Sequence, residues 1–263
     1  DLLITTARKR QRIWLSRAIA LCSALAIALL VPFIVGALIT QASIASIGLI
    51  MLVVIAHLLF WMLLTLGFTA SKITDRQSSA QIASALLSVW LVVTVLIPVG
   101  SDLAIDEMVE SPNGGEIVLT QREAVNGAWD LPFSATWNEF LATHPQWKDM
   151  TQMGDSFEWK WYYAFQQVGD QKAEVLSNAY RNATLAKNTL AERFALISPP
   201  MMAQRVMSSI AETDTNAAIQ YELKIREYHK ALRQFYYPLM FNETEFTLET
   251  LSGLPKFSNN KYN

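Results

Sequence analysis

Between Ala18 and Ile39 no side chain carries a charge. A helix needs roughly 20 mainly apolar residues to cross about 30 Å of hydrocarbon, so this run suffices. Ile47–Phe68 is a second such run, interrupted only by His57, and Ser79–Val99 is a third, densest from Ile82 onward. Core helices of soluble domains rarely occur as three such runs in succession. The sequence therefore predicts an all-α membrane protein with spans at about 18–39, 47–68 and 79–99. A cleaved signal peptide is a poor reading of the first run, because its apolar stretch exceeds the usual 7–15 residues and two more spans follow.

Charge is segregated along the chain. Residues 1–78 carry seven Lys/Arg and two Asp/Glu, whereas the remainder carries fourteen and twenty-one. That segregation explains why a chain only 17% charged has a mean hydropathy of just +0.21. A basic, apolar leading part is joined to an acidic, polar part of about 160 residues, long enough to bury its own core. Cys22 is the only cysteine, so no intrachain disulfide forms.

Lys and Arg in short flanks set orientation. Arg8, Lys9, Arg10, Arg12 and Arg17 precede the first span, the hairpin QASIAS after it has none, and the next loop holds Lys72 and Arg76. Basic, neutral, basic predicts a cytoplasmic N-terminal segment (1–12), a membrane region (13–100) and an extracytoplasmic domain (101–263). The basic cluster is then a topology anchor rather than a nucleic-acid grip. Trp14 beside it fits an interfacial aromatic. Pro32 and Pro98, both within spans, are static kinks or hinges.

In the outer part, 101–132 reads as irregular, with SPNGG a turn, EIVLT a short strand and AWDLPFS a loop leading to an N-cap at Ser134. SATWNEFLATH is a short helix ending before Pro145. From about Ser156 a long helix follows, with an apolar stripe from Leu176, Ala179, Tyr180 and Ala183 to Leu190, Phe194 and Ile197. Ser198-Pro199-Pro200 breaks it, MMAQRVMSSIA is a short helix, and Thr213 or Asp214 caps another long one that Pro238 ends or kinks. Two long amphipathic helices folded back on each other are expected, with shorter ones filling the gap. Two aromatic clusters, WKWYYAF and FYYPLMF, carry Trp159, Trp161, Tyr162, Tyr236 and Tyr237. They either pack against each other and the spans, the reading favoured here, or bind an amphipathic cargo, or sit at the outer lipid boundary.

The inventory for catalysis is thin. There is no G-x-x-x-x-G-K-[ST] phosphate loop, no G-x-S-x-G elbow and no H-E-x-x-H pair. His57, His144 and His229 have no metal-ligand spacing. No cofactor or metal is expected on this chain, and no enzymatic activity. His57, ionisable within a span, either packs against a neighbouring helix or lines a transport path.

The blocks LLITTARKRQRIWLSR, TQREAVNGAWDLP, FLATHPQW, WYYAFQQVGDQKAE, RFALISPPMMAQRVMSSIAETD and YHKALRQFYYP run through nearly the whole chain. In them the chain resembles a branch of the bacterial type-2 ATP-binding-cassette exporter permeases, in which a large extracytoplasmic domain of unknown function precedes a final span. The resemblance implies a permease of about six spans in the inner membrane, with two spans before Asp1 and one after Asn263. It implies pairing with a second permease copy or related chain, and a separate cytoplasmic ATPase that holds ATP and Mg. By position, Arg8, Lys9, Arg10 and Arg12 would lie near the ATPase contact. The competing reading is a membrane-anchored binding or sensing module that transports nothing.

Overall fold

A computed structural model describes residues 10–70, 79–149 and 158–257. Every regular element among them is helical. Three helical rods are long and apolar enough to cross a membrane, Leu15–Ile39, Ile44–Thr69 and Ala80–Met108. The molecule is an all-α membrane protein. Lys72 and Arg76 of the orientation argument, with Arg8 and Lys9, lie outside the described residues.

The chain forms two compact units, one of residues 1–108 with 188–214 and one of residues 109–187 with 215–263. In the first, α1 (Arg10–Ile39) and α2 (Ile44–Ala70) are joined by a tight corner. Gln41 takes a left-handed φ of 55°. There Ala42 N–H donates to Ala37 O and Gln41 N–H to Leu38 O, which satisfies two carbonyls at the helix end. Pro32 sits inside α1 without ending it.

The third rod has three parts: α3 (Ser79–Leu91), a π-helical turn (Val92–Leu96) and α4 (Ile97–Met108). The helix continues past Val99 to Met108. The reason is that Ser101 and Ile105 are buried and the charges there, Asp102, Asp106 and Glu107, are grouped in the last two turns. The unit is completed by the end of α7 (Trp159–Ala195) and by α8 (Pro199–Ile210), which packs on α2 and on the π-turn.

In the second unit, the expected strand in EIVLT and the irregular 101–132 stretch are corrected. Residues Gly114–Trp129 form α5. Asn113 starts it, its side-chain oxygen accepting from Gly115 N–H at 2.8 Å, so the SPNGG turn supplies the N-cap of this helix. Next, α6 (Phe133–Thr143) begins one residue before the expected cap, after Pro132 rather than Ser134. The long α7 and α9 (Thr215–Phe241) run antiparallel in this unit. Ties along them pair rising α7 numbers with falling α9 numbers: Lys160 to Glu243, Gln167 to Tyr237, Ser177 to Arg226, Arg181 to Glu222. Pro238 lies inside α9. A one-turn helix, α10 (Leu248–Leu251), follows and is closed by a capping box between Thr247 and Thr250.

The core of this unit is aromatic. Trp137 and Phe140 from α6 meet Trp161, Ala164 and Val168 from α7 and Tyr237 and Phe241 from α9. The spacing 161, 164, 165, 168 places one face of α7 inward. The stripe expected farther along α7 contributes less, since Ala183 is buried while Tyr180 and Ile197 are exposed.

Candidate functional site

The polar groups of the second unit converge beside that core. Thr143, His144, Gln146, Trp147, Gln167, Lys230, Arg233, Gln234 and Tyr237 line a cavity of about 430 Å³, within the range of small-ligand sites. On α9 the spacing 230, 233, 234, 237 follows one helix face, so four lining residues come from a single stripe. The ring of His144 stacks on Phe140, centroids 4.3 Å apart. Its Nδ1 lies 3.2 Å from Phe140 O and 2.9 Å from Thr143 Oγ1.

Burial, aided by the Arg233 charge, holds His144 below the usual histidine range despite its bond to the Phe140 carbonyl. The imidazole is therefore neutral near pH 7. Burial pushes the Tyr237 phenol up to about 12, so it stays protonated and donates to Gln167 Oε1 at 3.4 Å. Trp147 Nε1 is buried without a hydrogen-bond partner. Lys230 and Arg233 thus bring an ammonium and a guanidinium to one cavity. The donors suit a carboxylate or phosphate group of a small ligand.

The aromatic clusters divide. Trp161 and Tyr237 are buried in the core, while Tyr162 is exposed and Tyr236 half-buried against Phe235 and Phe246. Trp161 meets Trp137 at 6.2 Å, and Trp137 meets Phe241 at 5.6 Å, so the two clusters are bridged by α6. Trp159 opens α7. In α2, His57 Nε2 accepts from Trp61 Nε1–H one turn on, at 2.9 Å. That bond gives the ring a partner on its own helix. Arg10 opens α1 and Arg12 follows in its first turn, its side chain exposed. Among the described residues no three His, Cys, Asp or Glu side chains gather as a metal-holding group.

Residues 115–260 match the model of a domain of unknown function, DUF3526. The chain belongs to the DUF3526 family. The matched region runs from the start of α5 past α10 and so takes in every lining residue of the cavity. No curated protein and no solved structure matches this DUF3526 chain.

Sequence reasoning passed over Lys230, Arg233 and Trp147. The one-face spacing on α9 was a legible signal for the first two. The orphaned indole was not, because it depends on how Trp147 folds against Phe241. It also took Ser198 only as a helix breaker. In the first unit Ser198 is fully buried, and its Oγ donates to Val93 O at 2.6 Å.

Proposed function

We propose that this chain is a permease subunit of an ATP-driven exporter of the ATP-binding-cassette class. Its spans would form part of the translocation path, and ATP and Mg would be held by a separate cytoplasmic ATPase. A second permease copy or a related chain would complete the path. The basic N-terminal segment and the Lys72–Arg76 loop would face the cytoplasm of a bacterial inner membrane, with the helical domain on the other side.

The observation that carries this reading is the third span. A plain anchor needs neither a π-turn beside a proline nor a distant segment bonded to that turn. Ser198 supplies such a bond from 105 residues away. π-turns occur often at functional sites in helices, and a helix that repacks during a transport cycle has use for one. ATP binding on the partner would bias two arrangements of the bundle.

The test is whether a Walker-type ATPase is encoded beside this chain and co-purifies with it. Replacing Arg8, Lys9, Arg10 and Arg12 by Gln should loosen that complex or invert the topology. If association and orientation both survive unchanged, the coupling role falls. The cavity between Lys230, Arg233 and Trp147 favours the second reading, an anchored binding module. Tight binding of a small anion, with no ATPase partner found, would favour it over transport.

A further inference from the structure

After residue 78 the chain carries fourteen Lys/Arg against twenty-one Asp/Glu, yet no acid lines the cavity beside α9. Two of its nine lining residues, Lys230 and Arg233, are cations. His144 is held neutral near pH 7 and Tyr237 stays protonated, so neither adds charge. The cations stand one turn apart on one helix face, where like charges repel. Elsewhere in this unit such charges are met within the protein. Lys160, Lys172, Arg181 and Arg226 each have a carboxylate partner. Among the described residues the side chains of Lys230 and Arg233 have no hydrogen-bond or ion-pair partner. Asp170, the acid whose charge reaches Tyr237, is itself held by Gln121 Nε2 at 2.6 Å.

Arg233 is half-buried, and its charge is felt at both His144 and Tyr237. A guanidinium only donates, so beside an open cavity it favours an oxyanion. The rest of the polar wall is uncharged. Gln146 and Gln234 contribute amides, and Gln167 retains its NH2 while its Oε1 accepts from Tyr237. On His144, Nδ1 faces Phe140 O, which can only accept, and Thr143 gives its own hydrogen to that carbonyl. The proton of the neutral ring is thus on Nδ1, which leaves Nε2 as an acceptor. Amides and an imidazole acceptor suit hydroxyl groups, which both donate and accept.

We infer that this cavity binds a small phosphate monoester with a hydroxylated body, its phosphate held by Lys230 and Arg233. A monoester carries about −1.5 to −2 charge near pH 7 and so matches both cations, whereas a phosphodiester or a single carboxylate meets only one. Arg offers paired planar donors and Lys a point charge, a combination suited to phosphate oxygens. At about 430 Å³ the cavity leaves room for the body. The inference rests on the reading of the cavity as a binding site for a small anion, and it names that anion. It stands apart from transport.

The test is calorimetric titration of the full chain in an uncharged detergent with glycerol phosphate, the diester glycerophosphoglycerol and succinate. Glycerol phosphate should bind about tenfold more tightly than either of the others, the size of one charge-assisted contact. Lys230→Gln and Arg233→Gln should each weaken it by about tenfold, with near-UV circular dichroism unchanged. Arg226→Gln, which removes a paired cation outside the cavity wall, should leave it unaltered. Succinate binding as tightly, and still sensitive to Arg233→Gln, overturns the phosphate assignment and leaves an anion site. Equal binding of the diester overturns it too and points to a lipid head group. Failure of every probe to bind, or binding indifferent to both substitutions, overturns the reading of the cavity as well.

Discussion

The two units both bury small residues but differ in the large side chains they bury. Among its described residues the first buries Ala37, Ser101, Ile105, Asn188, Ala195 and Ser198, while leucines along its rods stand exposed. The second buries Trp137, Phe140, Trp161, Phe165, Tyr237 and Phe241. In water the large apolar groups must be removed from solvent, and aromatic side chains carry most of that gain. In lipid there is no such drive between helices, and small or hydrogen-bonded residues mark where helices approach. The difference is one of solvent, written in which residues are hidden.

The largest expected effect tests that contrast directly. Phe140→Ala removes a fully buried ring from the centre of the aromatic core and should cost about 3–5 kcal/mol. Leu63→Ala, on an exposed face of α2, should cost well under 1 kcal/mol in a chain whose spans meet only lipid. Thermal unfolding in detergent, followed by near-UV circular dichroism, separates the two. A large loss at Leu63 would reveal another helix on that face.

Glycines sharpen the same comparison. A Cβ on Gly169 would lie 2.5 Å from Val125 Cγ2 and 3.2 Å from Gln121 O, where α5 crosses α7. Gly169→Ala should therefore destabilise by about 1–3 kcal/mol, although alanine is the better helix former. In α2, a Cβ on Gly48 or Gly67 meets nothing within 4 Å. Alanine at either should be neutral or stabilising by up to about 1 kcal/mol. If Gly67→Ala instead weakens a purified oligomer, the open face belongs to a partner helix, as the permease reading requires.

The π-turn supplies the next effect. Ile97 N–H donates to Val92 O, five residues back, and Pro98 has no N–H, so Val93 O depends on Ser198. Ser198→Ala should cost about 1–3 kcal/mol, the penalty for an unpaired buried acceptor. In a Pro98→Ala background the chain regains a backbone donor, and the same change should cost only the lost cap, about 1 kcal/mol. A double-mutant cycle by thermal melting in detergent measures the coupling. Additive losses would mean that the bond to Val93 carries no weight.

What the sequence revealed follows from this division. The spans were plain because lipid demands long uncharged runs, and the antiparallel pair α7 and α9 was plain because its faces repeat. The strand expected in EIVLT failed because α5 is started by Asn113 and held by contacts to α7, neither of which alternation of side chains reports. Helix ends at Gln41, Glu212 and Glu243 were hidden because these residues take left-handed φ without glycine. Most hidden was the return of 188–214 to the spans. The run FALISPPMMAQ looks like an ordinary amphipathic turn until Ser198 is seen against Val93. The cavity was half legible, through Lys230 and Arg233, since its other wall depends on tertiary contacts of Trp147.

The smallest effects are electrostatic and should follow the water-facing unit. Glu222 accepts from Arg181 at 3.0 Å and from Arg226 at 2.8 Å. Burial opposes its charge, but these two cations outweigh that and hold its carboxyl below the usual range. Its contribution is thus present above the ordinary carboxyl value and lost as pH falls through the lower folded one. Lys160 is the mirror case. Burial opposes its ammonium, yet Glu158 and Glu243 overcome this and hold it above the usual lysine range. Its contribution is present below that range and lost as pH rises through the folded value. Glu222→Gln should flatten the acid limb of a stability–pH profile by only about 0.2–1 kcal/mol, since the group is half-exposed and screened. Lys160→Met should flatten the alkaline limb and leave the acid one intact. Both effects should appear in probes of the aromatic core and be absent from a spin label at Leu63, which belongs to the other unit. If the label at Leu63 follows the acid limb, the two units unfold as one and the contrast in solvent does not divide their stability.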